Sequence, residues 1–79
     1  MLDSKRIGLG LKVLRIKNGL TLKQAAAGLN IHQNTLCRYE KDAKKIDLLV
    51  FDKMLKFYNV EPIIFFEEYG ANLHTRKEG

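Results

Sequence analysis

Apolar positions along the chain recur at three- and four-residue spacing in short blocks separated by polar punctuation, the periodicity of amphipathic helices around one core. Across residues 5–18, Ile7, Leu11 and Leu14, with Leu9 and Ile16 beside them, fall on one broad face, and Asn18-Gly19 supplies a stop. Thr21 stands as the N-cap of a second helix through residue 29, with Gln24 where a capping box places Glu or Gln. Ala25, Ala26 and Ala27 give that helix high propensity and little girth, which permits a close crossing. Gly28 is expected to face solvent or another backbone, and Asn30 suits a left-handed turn. A third helix is predicted over residues 33–40, with Leu36 and Tyr39 inward and Leu29 and Ile31 packing beside the turn.

Residues 41–45 form a polar linker without periodicity. Asp47 can then cap a fourth helix to about Tyr58, in which Leu48, Phe51, Met54 or Leu55, and Tyr58 repeat at helical spacing, and Asn59 closes it. Pro62 fits the first turn of a fifth helix reaching Tyr69, although Ile63-Ile64-Phe65-Phe66 would also suit a buried strand. The pattern predicts an all-α fold, a compact bundle of four or five short helices over residues 5–70, with a flexible tail over 71–79. Seventy-nine residues fill one modest core and leave no room for a second domain.

No apolar run approaches a bilayer span, and the first residues lack the apolar core and cleavage site of an export signal. Cys37 is the only cysteine, so no internal disulfide can form, and a cytoplasmic setting without membrane association is expected. Charge changes the picture more. The formal net charge is +5, and residues 1–24 alone carry six basic side chains against Asp3, whereas residues 48–72 carry two against four acidic ones. One end of the sequence suits a polyanion and the other does not. On charge alone, a solvated basic surface explains this equally well.

The third helix adds chemistry. With Leu36 and Tyr39 inward, its outward set is Gln33, Asn34, Cys37 and Arg38. Gln and Asn can pair bidentately with adenine, and Arg with guanine or a phosphate, so two short helices with such a second helix meet the requirement for laying a helix in a major groove. Catalysis is not indicated. His32, Cys37 and His74 do not have a metal-ligand spacing, there is no Gly-rich phosphate loop, and Glu67-Glu68 reads as a solvated face. No metal, cofactor or small-molecule ligand is expected. Cys37 could be an oxidation-sensitive switch or an inert side chain small enough to lie beside bases.

The stretch from Leu20 to Glu40, above all Ile31, Gln33, Thr35, Leu36 and Arg38-Tyr39-Glu40, together with Asn59-Val60-Glu61-Pro62, resembles the helix-turn-helix family of phage repressors, Cro proteins and their XRE-like bacterial relatives. The resemblance covers roughly residues 7–67 and implies a lambda-repressor-like domain that regulates transcription as a homodimer on a two-fold symmetric double-stranded DNA operator. It implies base contacts from Gln33, Asn34 and Cys37, with Arg38 at a base or a nearby phosphate. Thr21, Lys23 and Lys44 match positions near the DNA backbone, Lys44 being equally suited to a structural role in solvent. Arg15 and Glu40 match a structural pair tying the first helix to the end of the third.

The sequence departs from the family pattern in four places. Leu22 stands where many members have a Gln that braces against phosphate, and His32 replaces the usual Ser-like cap of the third helix. Asp42 replaces a Gly, where Asp tolerates a left-handed conformation but brings a charge that opposes phosphate; Ile46 replaces a Pro. Leu22, Asp42 and the apolar segment 63–66 favour a competing reading, a protein-binding module on the same fold, antirepressor-like or a toxin partner. Dimerisation is also suggested by the residues themselves. Ile63, Phe65, Phe66 and Tyr69 exceed what one helix face hides, so some should pack across a two-fold axis.

Overall fold

Three helices of this protein end in the same way, and those endings set its topology. In the computed structural model, which describes residues 3–70, Gly19, Asn30 and Asn59 take left-handed φ values of 72°, 59° and 60°. Each is followed by a residue whose N–H reaches back five positions: Leu20 to Arg15 O at 3.1 Å, Ile31 to Ala26 O at 3.0 Å, Val60 to Leu55 O at 2.9 Å. This satisfies carbonyls that the helix leaves open and turns the chain sharply into the next element.

The elements are α1 (Ser4–Lys17), α2 (Leu22–Leu29), α3 (Gln33–Lys41), a 3-10 turn (Ala43–Lys45), α4 (Leu48–Phe57), α5 (Pro62–Phe65) and a wider π turn (Phe66–Gly70). All the regular structure of the described residues is helical, and the chain folds as a lambda-repressor-like bundle of five short helices. The strand alternative for residues 63–66 is thereby set aside, and the expected fifth helix instead widens after one turn. The tail expected over 71–79 lies outside the described residues.

The starts of α1, α2 and α4 are capped by side chains. Asp3 accepts from Lys5 N and Arg6 N at 3.0 and 3.3 Å, Asp47 from Leu49 N at 2.7 Å, and Thr21 and Gln24 form a reciprocal capping box at 3.0 and 2.9 Å. The polar linker is ordered too. Asp42 is extended, with φ −161°, not left-handed, and it caps the 3-10 turn through Lys44 N at 3.0 Å. The Ser4 hydroxyl, then that backbone N–H, hold its carboxyl below the usual aspartate range.

Leu11, Leu29, Leu36, Met54, Leu55 and Phe65 are fully buried at the centre, joined by Ala25 and Ala26 where α2 crosses its neighbours. Two assignments from periodicity change here. Leu9 and Ile16 are 54% and 56% exposed, because α1 buries Gly8, Gly10 and Arg15 beside Ile7, Leu11 and Leu14. Leu48 is 77% exposed on the first turn of α4, whose inward positions are Met54 and Leu55, with Tyr58 buried just after its end. Gly28 is exposed, as expected, but the ring of Phe57 stands beside it, 2.5 Å from where a Cβ would sit.

Candidate nucleic-acid interface

The geometry of α3 follows from Leu36. That side chain is fully buried and Tyr39 half-buried, which fixes the rotation of the helix and turns Gln33, Asn34 and Arg38 to solvent, with Cys37 half-buried beside them. His32 holds the N-cap position with extended backbone but makes no side-chain capping bond, so the first N–H groups of α3 point outward without an internal acceptor from that residue. Thr21, Lys23 and Lys44 are exposed. Thr21 is occupied in its capping box with Gln24, and Lys44 belongs to the 3-10 turn behind α3.

Beneath this surface α1 and α3 are fastened together. Arg15 Nε donates to Glu40 Oε2 at 2.7 Å and Nη2 to Oε1 at 3.1 Å, while Nη1 donates to the Leu20 carbonyl at 2.8 Å, within the turn that leads to α2. Both side chains are buried, 10% and 4% exposed. The hydrogen bonds it donates to Glu40 raise the Arg15 pKa further above its already high value, so the guanidinium stays charged. One cation thus connects α1, the α1–α2 turn and the end of α3. Gly8 lets α1 come this close: a Cβ there would stand 2.7 and 2.8 Å from the carbonyl oxygens of Tyr39 and Glu40. A second fastening is Lys53 of α4, whose Nζ donates to the Leu29 carbonyl at 2.6 Å and closes the end of α2. Neither Gly8 nor Lys53 stands out in the sequence, since each depends on a neighbour far away along the chain.

Tyr58 lies next to this pair. It is 3% exposed, and its hydroxyl has no hydrogen-bond partner among the described residues. Burial, with the Glu40 carboxylate adding to it and Arg15 opposing, pushes the phenol up to about 12. An acid whose folded pKa is raised keeps its proton where the unfolded chain has lost it. Tyr58 therefore contributes no loss of stability below about pH 10, the unfolded value, and an increasing one as pH climbs toward the folded value. Urea unfolding at pH 9 and pH 11 should show a smaller decline in Tyr58→Phe than in wild type; equal declines would contradict this.

The apolar residues expected at a dimer surface divide. Phe65 is fully buried, with its ring edge-on to Phe51 at 5.5 Å between centroids, and so belongs to the core. Tyr69 is half-buried with its ring against α1 at Gly10, and Phe66 is half-buried against Phe51 at 5.7 Å. Ile63 is 67% exposed. The sequence reading missed Leu49, which with Leu48 is almost wholly exposed on the first turn of α4. Among the described residues no group of three or more His, Cys, Asp or Glu could hold a metal ion, and no helix is long and apolar enough to cross a membrane.

Comparison with known proteins agrees with this architecture. The HTH-type transcriptional regulator ImmR of Bacillus subtilis (strain 168) is 43% identical over 54 residues, 68% of this chain and 42% of that protein, so the chain spans less than half the length of that relative. The wild-type restriction-modification controller protein C.Esp1396I superposes with a TM-score of 0.77 at 17% identity, over 96% of each chain. A mutant of the same controller protein gives 0.74 at 19% identity, over 81% of this chain and 85% of that one. At such identities the likeness speaks for the fold. Residues 11–65, from α1 through α5, match the helix-turn-helix family, and the chain belongs to it.

Proposed function

We propose that the protein represses transcription by binding double-stranded DNA with α3 laid in the major groove. The observation that carries this is the division of α3 into a buried Leu36 and an outer face of Gln33, Asn34 and Arg38. Gln33 and Asn34 read adenine edges, Cys37 makes a small contact beside them, and Arg38 reaches a guanine or a phosphate. Thr21, Lys23 and Lys44 meet the phosphate backbone, where the start of α2 adds its partial positive charge. The kinship with a transcriptional regulator and the likeness to a controller protein support the same reading. The activity is binding and not catalysis.

The operator is two-fold symmetric because the protein acts as a homodimer, which presents two copies of α3 about one helical turn apart. Exposed Leu48, Leu49, Ile63 and Ile64 support self-association, since a monomer in water gains nothing by leaving four large apolar side chains exposed on α4 and α5. Selection of bound duplexes from a random pool, with sedimentation across a range of protein concentrations, tests both parts. Enrichment of a two-fold symmetric site bound by a dimer is expected, with a steep salt dependence. Leu49→Glu should leave the fold intact and shift the protein toward monomer. Failure to enrich any site would favour a protein-binding module built on the same exposed leucines.

A further inference from the structure

Leu22, at the first position of α2, offers no hydrogen bond to a DNA strand passing over it, and the structure surrounds it with an alternative. A groove of about 230 Å³ opens where α1, α2 and α3 meet, lined by Leu9, Lys12, Leu22, Cys37 and Lys41 above the Arg15–Glu40 pair. Gln33, Cys37 and Lys41 follow one another at four-residue spacing, so Lys41 continues the base-reading edge of α3 by one turn beyond Cys37. Lys12 approaches the same groove from α1. Both lysines are exposed, and neither lies within 4 Å of a carboxylate among the described residues. The nearby carboxylate, Glu40, is engaged by Arg15. Two cations without acidic partners among the described residues thus line one groove together with Leu9 and Leu22, beside a residue of the reading face.

We propose that Lys12 and Lys41 clamp a phosphate strand of the duplex on the Cys37 side of α3, supplying the backbone contact that Leu22 cannot. This rests on the DNA-binding reading above and adds to it two residues that sequence reasoning did not single out. The long methylene stems lie along Leu9 and Leu22 while the ammonium groups reach the phosphate oxygens. Binding here releases two counterions and carries no sequence information.

Lys12→Gln, Lys41→Gln and the double variant, measured on the selected operator and on unrelated duplex over a salt series, test the clamp. Each lysine should lower the slope of log K against log salt by about 0.9 and the pair by about 1.8, with the preference for the operator unchanged. Lys56→Gln, on α4 and paired with Asp52 at 3.1 Å, should leave the slope as in wild type. Unchanged far-UV circular dichroism and melting temperature show that the variants fold. A double-variant slope equal to that of wild type, or a loss matched by Lys56→Gln, would overturn the clamp while leaving the DNA-binding reading standing. Wild-type protein that binds no duplex would overturn both.

Discussion

Replacing Arg15 by Ala is expected to destabilise the protein by about 3 to 5 kcal/mol, a large share of what a domain of this size has. The variant loses three hydrogen bonds at once and leaves the Glu40 carboxylate, 4% exposed, without its cation, and the Leu20 carbonyl without its donor. An unpaired buried charge costs far more than a surface ion pair contributes, which is at most about 1 kcal/mol. Arg15→Lys should recover little, because an ammonium cannot span both carboxylate oxygens and the Leu20 carbonyl in the same fork. Urea unfolding of both single variants and of the Arg15→Ala, Glu40→Ala pair would show the coupling directly. Independent, additive losses would mean that the pair does not act as a unit.

Gly8→Ala should also destabilise, by about 1 to 3 kcal/mol, the typical cost of overpacking. Helix propensity alone predicts the opposite sign, since alanine in a helix interior is favoured over glycine by about 1 kcal/mol. The contact decides. A methyl group at Gly8 would meet two backbone oxygens at 2.7 and 2.8 Å, and they belong to Tyr39 and Glu40, so relief requires moving the last turn of α3 against the ion pair that holds it. Thermal unfolding gives the test, and a stabilised variant would show that α1 and α3 are free to separate.

Gly8 marks the limit of what could be read along the chain, whereas the pairing of Arg15 with Glu40 was already implied by the family resemblance. Local interactions were legible: the Thr21–Gln24 box, the Asp47 cap and the left-handed Asn30 each involve residues within a few positions of one another. The rotation of α3 was legible as well, because Leu36 alone fixes which side is inward. The face of α1 was not. Apolar character at Leu9 and Ile16 argues for burial, but the inward side of α1 is marked by glycines, and only the approach of α3 and of the Tyr69 ring reveals why. The same difficulty separates Phe65 from Leu48 and Leu49: all three are apolar on short helices, and which of them meets the core depends on the crossing of α4 and α5. The groove between Lys12 and Lys41 is further from view, since three helices must be in place before it exists.

The proposal that α3 is the reading element is most directly tested by measuring Gln33→Ala and Asn34→Ala on the selected operator, on each of its single-base variants and on unrelated duplex at several salt concentrations. Both side chains are exposed and outside the core, so the fold should be unaffected. The expected result is a loss of about 1 to 3 kcal/mol on the operator, with relaxed choice at one or two base pairs and little change on unrelated DNA. Lys23→Ala should contrast with them, weakening every duplex alike and lowering the salt slope by about one unit. Site preference left intact in both the Gln33 and the Asn34 variants would contradict the account, because the helix whose outer face they form would then not be reading the bases.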